Sequence, residues 1–235
     1  SSVENLFTGT QELEVDFSLI DRFYSGEPFL LEEQKVKLFP NQFLLLKNEA
    51  TNKSAICRFE GYNKPLKKVN KFKNIWGLSA RNKEQQYAMD LLFDKDIHVI
   101  SLTGPAGTGK TLLATACALE QVMNTTSSKG GYDKLIITRP VQPMGGRSIA
   151  NAFMIVDEAQ NLTAHELKTI ITRVGHGTKL VLTGDIQQID NSYVDSVSNG
   201  LTHAVEKFKN YDLAGHITLT KGERSELATL ASEIL

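Results

Sequence analysis

Gly104-Pro-Ala-Gly-Thr-Gly-Lys-Thr111 reads G-x-x-x-x-G-K-T. Before it, Asp96-Ile-His-Val-Ile-Ser-Leu-Thr103 is apolar and β-branched enough to form a buried strand. After it, Leu112–Val122 is rich in helix formers. Strand, glycine loop and helix are the context in which this motif cradles the phosphates of a nucleoside triphosphate. Glycines let successive backbone N–H groups turn toward phosphate oxygens, and the positive end of the following helix dipole faces the same anion. Gly104, Pro105, Ala106, Gly107, Thr108 and Gly109 are therefore expected to hold the nucleotide together with Lys110 and Thr111. Lys110 is expected at the β- and γ-phosphates, and the Thr111 hydroxyl at Mg²⁺.

Two further strand ends carry polar chemistry. Asn151-Ala-Phe-Met-Ile-Val156 is apolar and ends in Asp157-Glu158-Ala-Gln160. Carboxylates at the end of a buried strand are costly unless they bind metal or do chemistry. Asp157 is expected to hold Mg²⁺, and Glu158 to orient or deprotonate the attacking water. Lys179–Thr183 is a third strand, followed by Gly184-Asp-Ile-Gln-Gln188. Gly184 is expected to permit a sharp turn at the sheet edge, with Asp185 and Gln188 projecting toward the γ-phosphate.

Together these segments resemble the first core of superfamily-one helicases, and more closely the PhoH-like ATPases. The resemblance rests also on Thr138-Arg-Pro140, on the Asn151–Asn161 run and on Lys221-Gly-Glu-Arg-Ser225, and it covers roughly residues 75 to 235. It implies a RecA-like ATPase that uses ATP and Mg²⁺. It further implies RNA, or other single-stranded nucleic acid, as the polymer unwound or tracked. Longer relatives join this ATPase to a PIN nuclease domain, and the first 70 residues here lack the acid cluster of such a domain. Gln85, in the helix-like stretch Arg81–Leu92, matches the family's adenine reader; a solvated surface glutamine is the alternative. Arg224 matches a γ-phosphate contact; the alternative is an exposed arginine opening the last helix between Glu223 and Glu226.

The 235 residues suffice for one or two domains, with a division expected near residue 75. Residues 1–75 show short strand-like runs at Glu12–Phe17, Phe29–Leu31, Lys35–Leu38, Asn41–Lys47 and Ser54–Tyr62, which predict a small antiparallel sheet or barrel packed on the ATPase core. Residues 76–235 alternate strands at Leu135–Thr138, Phe153–Val156, Lys179–Thr183 and Ile217–Thr220 with helices, one of them Ala164–Arg173 capped by Thr163. That alternation predicts an α/β fold with a parallel sheet covered on both faces. Lys64–Lys73 is the most basic stretch, with Phe72 and Trp76 close by. It suits single-stranded nucleic acid, or a linker whose aromatics pack on the core.

A net charge of −1 provides no global basic field for nucleic acid. No apolar run is long enough to span a membrane, and the opening residues lack the pattern of a signal peptide. Cys57 and Cys117 read as buried thiols in a reducing cytoplasm. Arg139–Ala150 is short and holds Pro140, Pro143, Gly145 and Gly146, although a parallel crossover normally contains a helix. The PhoH-like family is longer here, so a segment absent between Gly145 and Gly146 is expected. Thr138-Arg-Pro140 and Arg147 flank that place as nucleic-acid, inter-subunit or ordinary loop residues.

One core does not unwind a strand alone, so helicase action calls for a closed homo-oligomeric ring, such as a hexamer. The competing readings are an ATP-driven switch acting on a protein partner, and a nucleotide-binding module that scarcely turns over. Glu158, Gln188 and Arg224 argue against the second.

Overall fold

The computed structural model describes residues 6–124, 130–140, 148–190, 193–195, 198–222 and 234. Arg147, Arg224, Ser225 and the expected break between Gly145 and Gly146 lie outside the described residues.

The nucleotide-side half is built on five parallel strands: β5 (Val99–Thr103), β6 (Lys134–Thr138), β7 (Ala152–Val156), β8 (Lys179–Gly184) and β9 (Ala214–Thr218). Their order across the sheet is β6-β7-β8-β5-β9. Every residue of β7 and β8 is buried, as a parallel sheet covered on both faces requires. On one face, α2 (Lys83–Phe93) and α3 (Lys110–Met123) pack Leu91, Leu92, Leu113 and Cys117 against Ile100, Leu102 and Val181. On the other, α4 (Ala164–Ile171) and α5 (Gly200–Phe208) pack Leu167, Leu201 and Val205 against Met154, Leu180 and Leu182. Alternate strand residues thus serve opposite faces. Thr163 caps α4 in a reciprocal capping box with Glu166. This arrangement is a RecA-like α/β sheet. Its decisive feature is β8, inserted between the phosphate-loop strand β5 and the acid strand β7.

The amino-terminal part is a second sheet ordered β1 (Thr10–Glu14), β2 (Gln42–Asn48), β3 (Lys53–Phe59) and β4 (Lys67–Lys68). β2 and β3 form the expected antiparallel hairpin, but β1 runs parallel to β2, so the sheet is mixed. The parallel pair exists because α1 (Phe17–Tyr24) makes the crossover, capped by the Asp16 carboxylate, which accepts from Ser18 N at 2.9 Å. The Glu12–Phe17 alternation reads as one strand, yet Phe17, Ile20 and Phe23–Tyr24 already follow the three-four spacing of a helix. Phe29–Leu31 and Lys35–Leu38 are irregular chain; Leu31 and Leu38 bury there without pairing in a ladder.

The two sheets are sewn together, as the expectation of packing on the core requires. Thr218 N donates to Thr8 O at 3.0 Å and Phe43 N to Gly9 O at 2.9 Å, so the chain passes from the edge of one sheet to the other at Gly9. Gly9 sits at φ +82°, and an added Cβ would lie 1.8 Å from His216 O. Asn41 Nδ2 donates to Asp212 O and Ala214 O, each at 2.8 Å. Phe43 stacks on Tyr87 with centroids 4.5 Å apart, a pairing worth about 0.5–1.5 kcal/mol beyond its burial.

The basic stretch joins this seam. Val69 is buried, Phe72 stacks on Phe93 at 4.2 Å, and Lys67 pairs with Asp94 at 3.2 Å. For Phe72 the core-packing alternative is the observed one. Cys57 and Cys117 are buried and unbridged, and burial pushes both thiols up to about 12.

Candidate nucleotide site

The site lies at the carboxyl edge of β5, β7 and β8. Gly104 leaves β5 at φ +153°, and a Cβ there would come within 2.3 Å of Leu219 O. Gly107 and Gly109 are left-handed at φ +85° and +87°, and Gly109 is the residue that opens α3. These values curl the loop over the amino terminus of a 14-residue helix, a ready anion site. Thr108 Oγ1 donates to Pro105 O at 2.8 Å, and Lys110 Nζ donates to the same carbonyl at 3.2 Å. Lys110 thus rests its ammonium on the loop it would share with phosphate. A cleft of about 510 Å³ opens here, walled by Gly107, Gly109, Lys110 and Thr111 on one side and Leu78, Ser79, Arg81 and Gln85 on the other.

Asp157 is the hub of the acid side. Its Oδ1 accepts from Thr111 Oγ1 at 3.2 Å, Thr183 Oγ1 at 2.8 Å and Glu158 N at 3.0 Å. Its other oxygen lies 4.0 Å from Arg139 Nε. A hydroxyl and a carboxylate side by side are hard oxygen donors, which fits Mg²⁺, an ion that fills its remaining positions with water and substrate phosphates. Among the described residues no cluster of three or more His, Cys, Asp or Glu offers a dedicated metal cage.

Glu158 follows at φ +56°, ψ +35°, a left-handed conformation that costs a non-glycine residue about 1–3 kcal/mol. Gln160 holds it there. The buried Gln160 amide donates to Glu158 Oε2 at 2.7 Å and to Gln188 O at 3.0 Å, and accepts from Asp185 N at 3.2 Å. The end of β8 is therefore tied to the acid turn. Gly184 is explained by the close packing at this contact. Its φ is not positive and it remains in the strand, but a Cβ would stand 2.4 Å from Gln160 Oε1 and 2.7 Å from a Leu201 methyl. The expectation of a sharp glycine turn is thus corrected to one of close packing.

Asp185 Oδ1 accepts from Gln187 N at 2.9 Å, shaping the following turn, while the Gln188 side chain is exposed at the rim. Gln85 Nε2 donates to Thr108 O at 3.1 Å and its Oε1 accepts from Arg81 N at 2.9 Å, so both ends of the amide are engaged within the protein. Its neighbour Glu84 accepts from Thr220 N at 2.6 Å and Thr220 Oγ1 at 2.7 Å, anchoring the exit of β9 to α2.

Three contributors escaped the sequence reading. Gln160 is visible only as the last letter of Asp157-Glu-Ala-Gln, Thr183 as an ordinary strand threonine, and Glu84 as a helix surface acid. Each matters through a partner remote in sequence.

A five-strand parallel sheet with β8 inside, a glycine loop opening α3 and an acid pair beside it define a phosphate-loop nucleotide-binding protein. The family model described as PhoH-like protein matches residues 77–145 and 130–234. The chain belongs to the PhoH-like family.

It is similar to Protein PhoH2 of Bacillus subtilis (strain 168), 36% identical over 291 aligned positions that take in 99% of this chain and 65% of that protein. Protein PhoH2 of Thermobispora bispora is 31% identical over 99% of this chain and 64% of its own length. The chain thus spans somewhat under two thirds of these relatives, and the first alignment, at 291 positions, holds residues with no counterpart among the 235 here. The two family matches overlap at 130–145, which takes in β6 and the start of its connection to β7. A Pif1 helicase from Bacteroides solved with ADP-AlF3 and ssDNA aligns at 16% identity over 63% of this chain and 44% of that one, with a TM-score of 0.38. No helix among the described residues is long and apolar enough to cross a membrane.

Proposed function

We propose that the chain is an Mg²⁺-dependent ATPase that couples hydrolysis to unwinding of, or movement along, single-stranded nucleic acid, RNA first, as a closed cytoplasmic ring such as a hexamer. The observation that carries the chemistry is the continuous network from Thr111 through Asp157 and Glu158 to Gln160 and the end of β8. It brings the phosphate loop, the metal-side acid and the candidate base to one edge of the sheet.

In this reading the loop N–H groups and the α3 amino terminus bind the β- and γ-phosphates. Lys110 leaves Pro105 O to pair with them. Thr111 and Asp157 would hold Mg²⁺, which supplies positive charge against the phosphate oxygens when bound. Glu158, fixed by Gln160, takes the proton of the attacking water. Gln188 and Arg224 complete the γ-phosphate side.

The nucleic-acid part rests on the family and on geometry at the edge strand. β6 ends at Thr138, and Arg139, exposed, reaches toward Asp157. A strand bound at that edge would touch a residue that faces the metal-side acid. The relatives' additional residues are proposed to enter the β6–β7 connection and to enlarge this surface. A single core supports unwinding only if neighbouring subunits supply the second surface.

The test is the rate of ATP hydrolysis with and without single-stranded RNA and DNA. Stimulation by either polymer supports the coupled reading. Hydrolysis indifferent to both replaces it with an ATP-driven switch acting on a protein partner. No hydrolysis in the presence of Mg²⁺ ends the enzymatic reading.

A further inference from the structure

Helices α4 and α5 meet at their amino-terminal ends. Gly200 N donates to Leu162 O at 2.6 Å, and a Cβ on Gly200 would stand 2.6 Å from Thr163 O. A groove of about 310 Å³ lies between the two helices. His165 and Lys168 line it from α4, His203 and Lys207 from α5, and all four are exposed. Their spacings, three and four residues, put each pair on one helix face. Neither lysine has an ion pair or a hydrogen bond for its ammonium among the described residues. The acids of these helices are engaged elsewhere. Glu166 caps α4 with Thr163, and Glu206 accepts from Phe7 N and Lys209 Nζ. No carboxylate lines the groove, and half-buried Ile171 and Phe208 give it an apolar floor. Cationic lips over an apolar floor are complementary to an acidic segment that carries an apolar side chain.

The chain holds such a segment in its amino-terminal part. Residues 1–33 contain eight Asp and Glu against one basic residue, Arg22, although the whole chain has a net charge of −1. Glu27–Glu33 follows α1 as irregular chain. Leu31 is buried, the Arg22 guanidinium lies 4.6 Å from the Phe29 ring centroid, and Gln34 N donates to Tyr62 Oη at 2.9 Å, so the segment is pinned to the body. Leu30 is 55% exposed, and Glu27, Glu32 and Glu33 are exposed around it. None of these three carboxylates has an ion pair or a hydrogen bond among the described residues. A pinned segment loses little freedom on docking.

Groove and segment sit at opposite ends of the molecule. Thr169 and Ile170 of α4 share a cleft with Thr138 of β6, whereas the amino-terminal sheet joins the core at β9, the other edge of the parallel sheet. They do not meet within one copy, but they can meet between copies, and a head-to-tail contact of that kind closes rings. We propose that the α4–α5 groove receives Leu30 and the carboxylates of Glu27, Glu32 and Glu33 from a second copy of this chain. The inference rests on the ring reading above and names the surface through which the ring closes.

The test is the mass of the chain in solution, by light scattering over a range of concentration and salt, with ADP and Mg²⁺ present. Association should weaken as salt rises, because exposed charges are screened. Lys168→Glu with Lys207→Glu should weaken it about 10²-fold or more, the scale of like charges set face to face, and so should Glu32→Lys with Glu33→Lys. ADP affinity should stay unchanged in both variants, which shows that they are folded. Mixing the two variants should restore assembly, because each groove then meets a segment of opposite charge; damage to folding predicts no such rescue. Native-like association in either variant, or no rescue on mixing, would overturn the proposal and leave the ring to another surface. Loss of oligouridylate binding in the groove variant, with its mass unchanged, would reassign the groove to nucleic acid. A native chain that stays monomeric at every concentration would remove the ring reading and this one together.

Discussion

At the residue scale the site is a chain of dependences rather than a set of independent side chains. Asp157 Oδ1 takes three donors, and one of them, the Glu158 N–H, belongs to the residue expected to perform the chemistry. Glu158 is held in a left-handed turn that its own Cβ disfavours, and the Gln160 amide is the clamp. Strain of this kind persists where the surroundings over-determine it. Glu158→Gln preserves shape and removes only the carboxylate. It should retain ATP binding and lose about 10²-fold or more in turnover, the scale of a missing general base. Lys110→Ala should show the opposite pattern, with nucleotide affinity collapsing in a folded protein because the cation against the β- and γ-phosphates is gone. Equilibrium binding and single-turnover hydrolysis measured on both variants separate the two roles. Normal turnover in Glu158→Gln would remove that residue from the mechanism.

Elements are joined by buried charge. Arg58 on β3, 1% exposed, pairs with Asp90 on α2 at 2.7 Å and with Asp94 just beyond the helix. Burial works against the Asp94 charge, but the Arg58 hydrogen bond and the Asp96 N–H prevail and hold its carboxyl down at about 2. At the same helix end, buried Lys179 from β8 donates to the carbonyls of Leu91, Leu92 and Asp94 at 3.0, 2.9 and 2.6 Å. Removing one partner of such a group strands the others. Arg58→Ala should cost about 3–5 kcal/mol in denaturant unfolding, and adding Asp90→Asn should return part of it, since one stranded charge is then neutral. Additive losses in the double variant would refute the coupling.

β9 carries the second buried group. His216 Nδ1 lies 2.7 Å from Ser101 Oγ and Nε2 2.9 Å from Thr218 Oγ1, and burial pushes the imidazole down to about 4. The unfolded chain takes up this proton near pH 6.5, and the folded chain only near pH 4. Stability from this group is therefore present above pH 6.5 and is lost as the pH falls from 6.5 through 4, by roughly 3 kcal/mol in all. Unfolding midpoints across that range should show a steeper acid loss in the native chain than in His216→Gln. Equal slopes would dismiss His216 as the cause.

For the whole molecule, the question is what a single core can accomplish. Two sheets share one apolar cluster, in which Phe43 and Val69 of the amino-terminal part meet Tyr87, Leu91 and Leu92 of α2. A nucleotide-driven movement of α2 would therefore carry both sheets rather than open a hinge between them. Relative motion is then expected between copies of the chain, which is the basis for proposing a ring. Arg224 lies outside the described residues, but the chain leading to it is anchored by Glu84 at Thr220, and Gly222 lies beside the phosphate loop. If sites are shared between subunits, Arg224→Ala should bind ATP and hydrolyse it poorly, and mixing with Lys110→Ala subunits should restore hydrolysis. Arginine loss at such a site can cost about 10³-fold or more, so rescue is readily measured. Mixed oligomers that show no rescue would place the arginine in its own chain's site.

Local chemistry makes the nucleotide half legible along the chain. A glycine loop between strand and helix, and acids at the end of a buried strand, depend on neighbours in sequence, and the sequence by itself determined β5, α3, β7, β8 and the positions of Lys110, Thr111, Asp157 and Glu158. Residues whose role depends on distant partners were opaque. Gln160 matters because Gln188 lies 28 residues away along the chain and yet at its amide. Gly184 is small because Gln160 and Leu201 crowd it. The engagement of Gln85 depends on the carbonyl of Thr108. The amino-terminal sheet shows the same limit. Period-two alternation ran from β1 into α1 without a break, and only the crossover that α1 completes decided that β1 lies parallel to β2. Hydrophobic pattern and turn chemistry are written along the chain, whereas strand direction, close approach and the sharing of a polar atom are properties of segments meeting in space, so tertiary structure alone settled them.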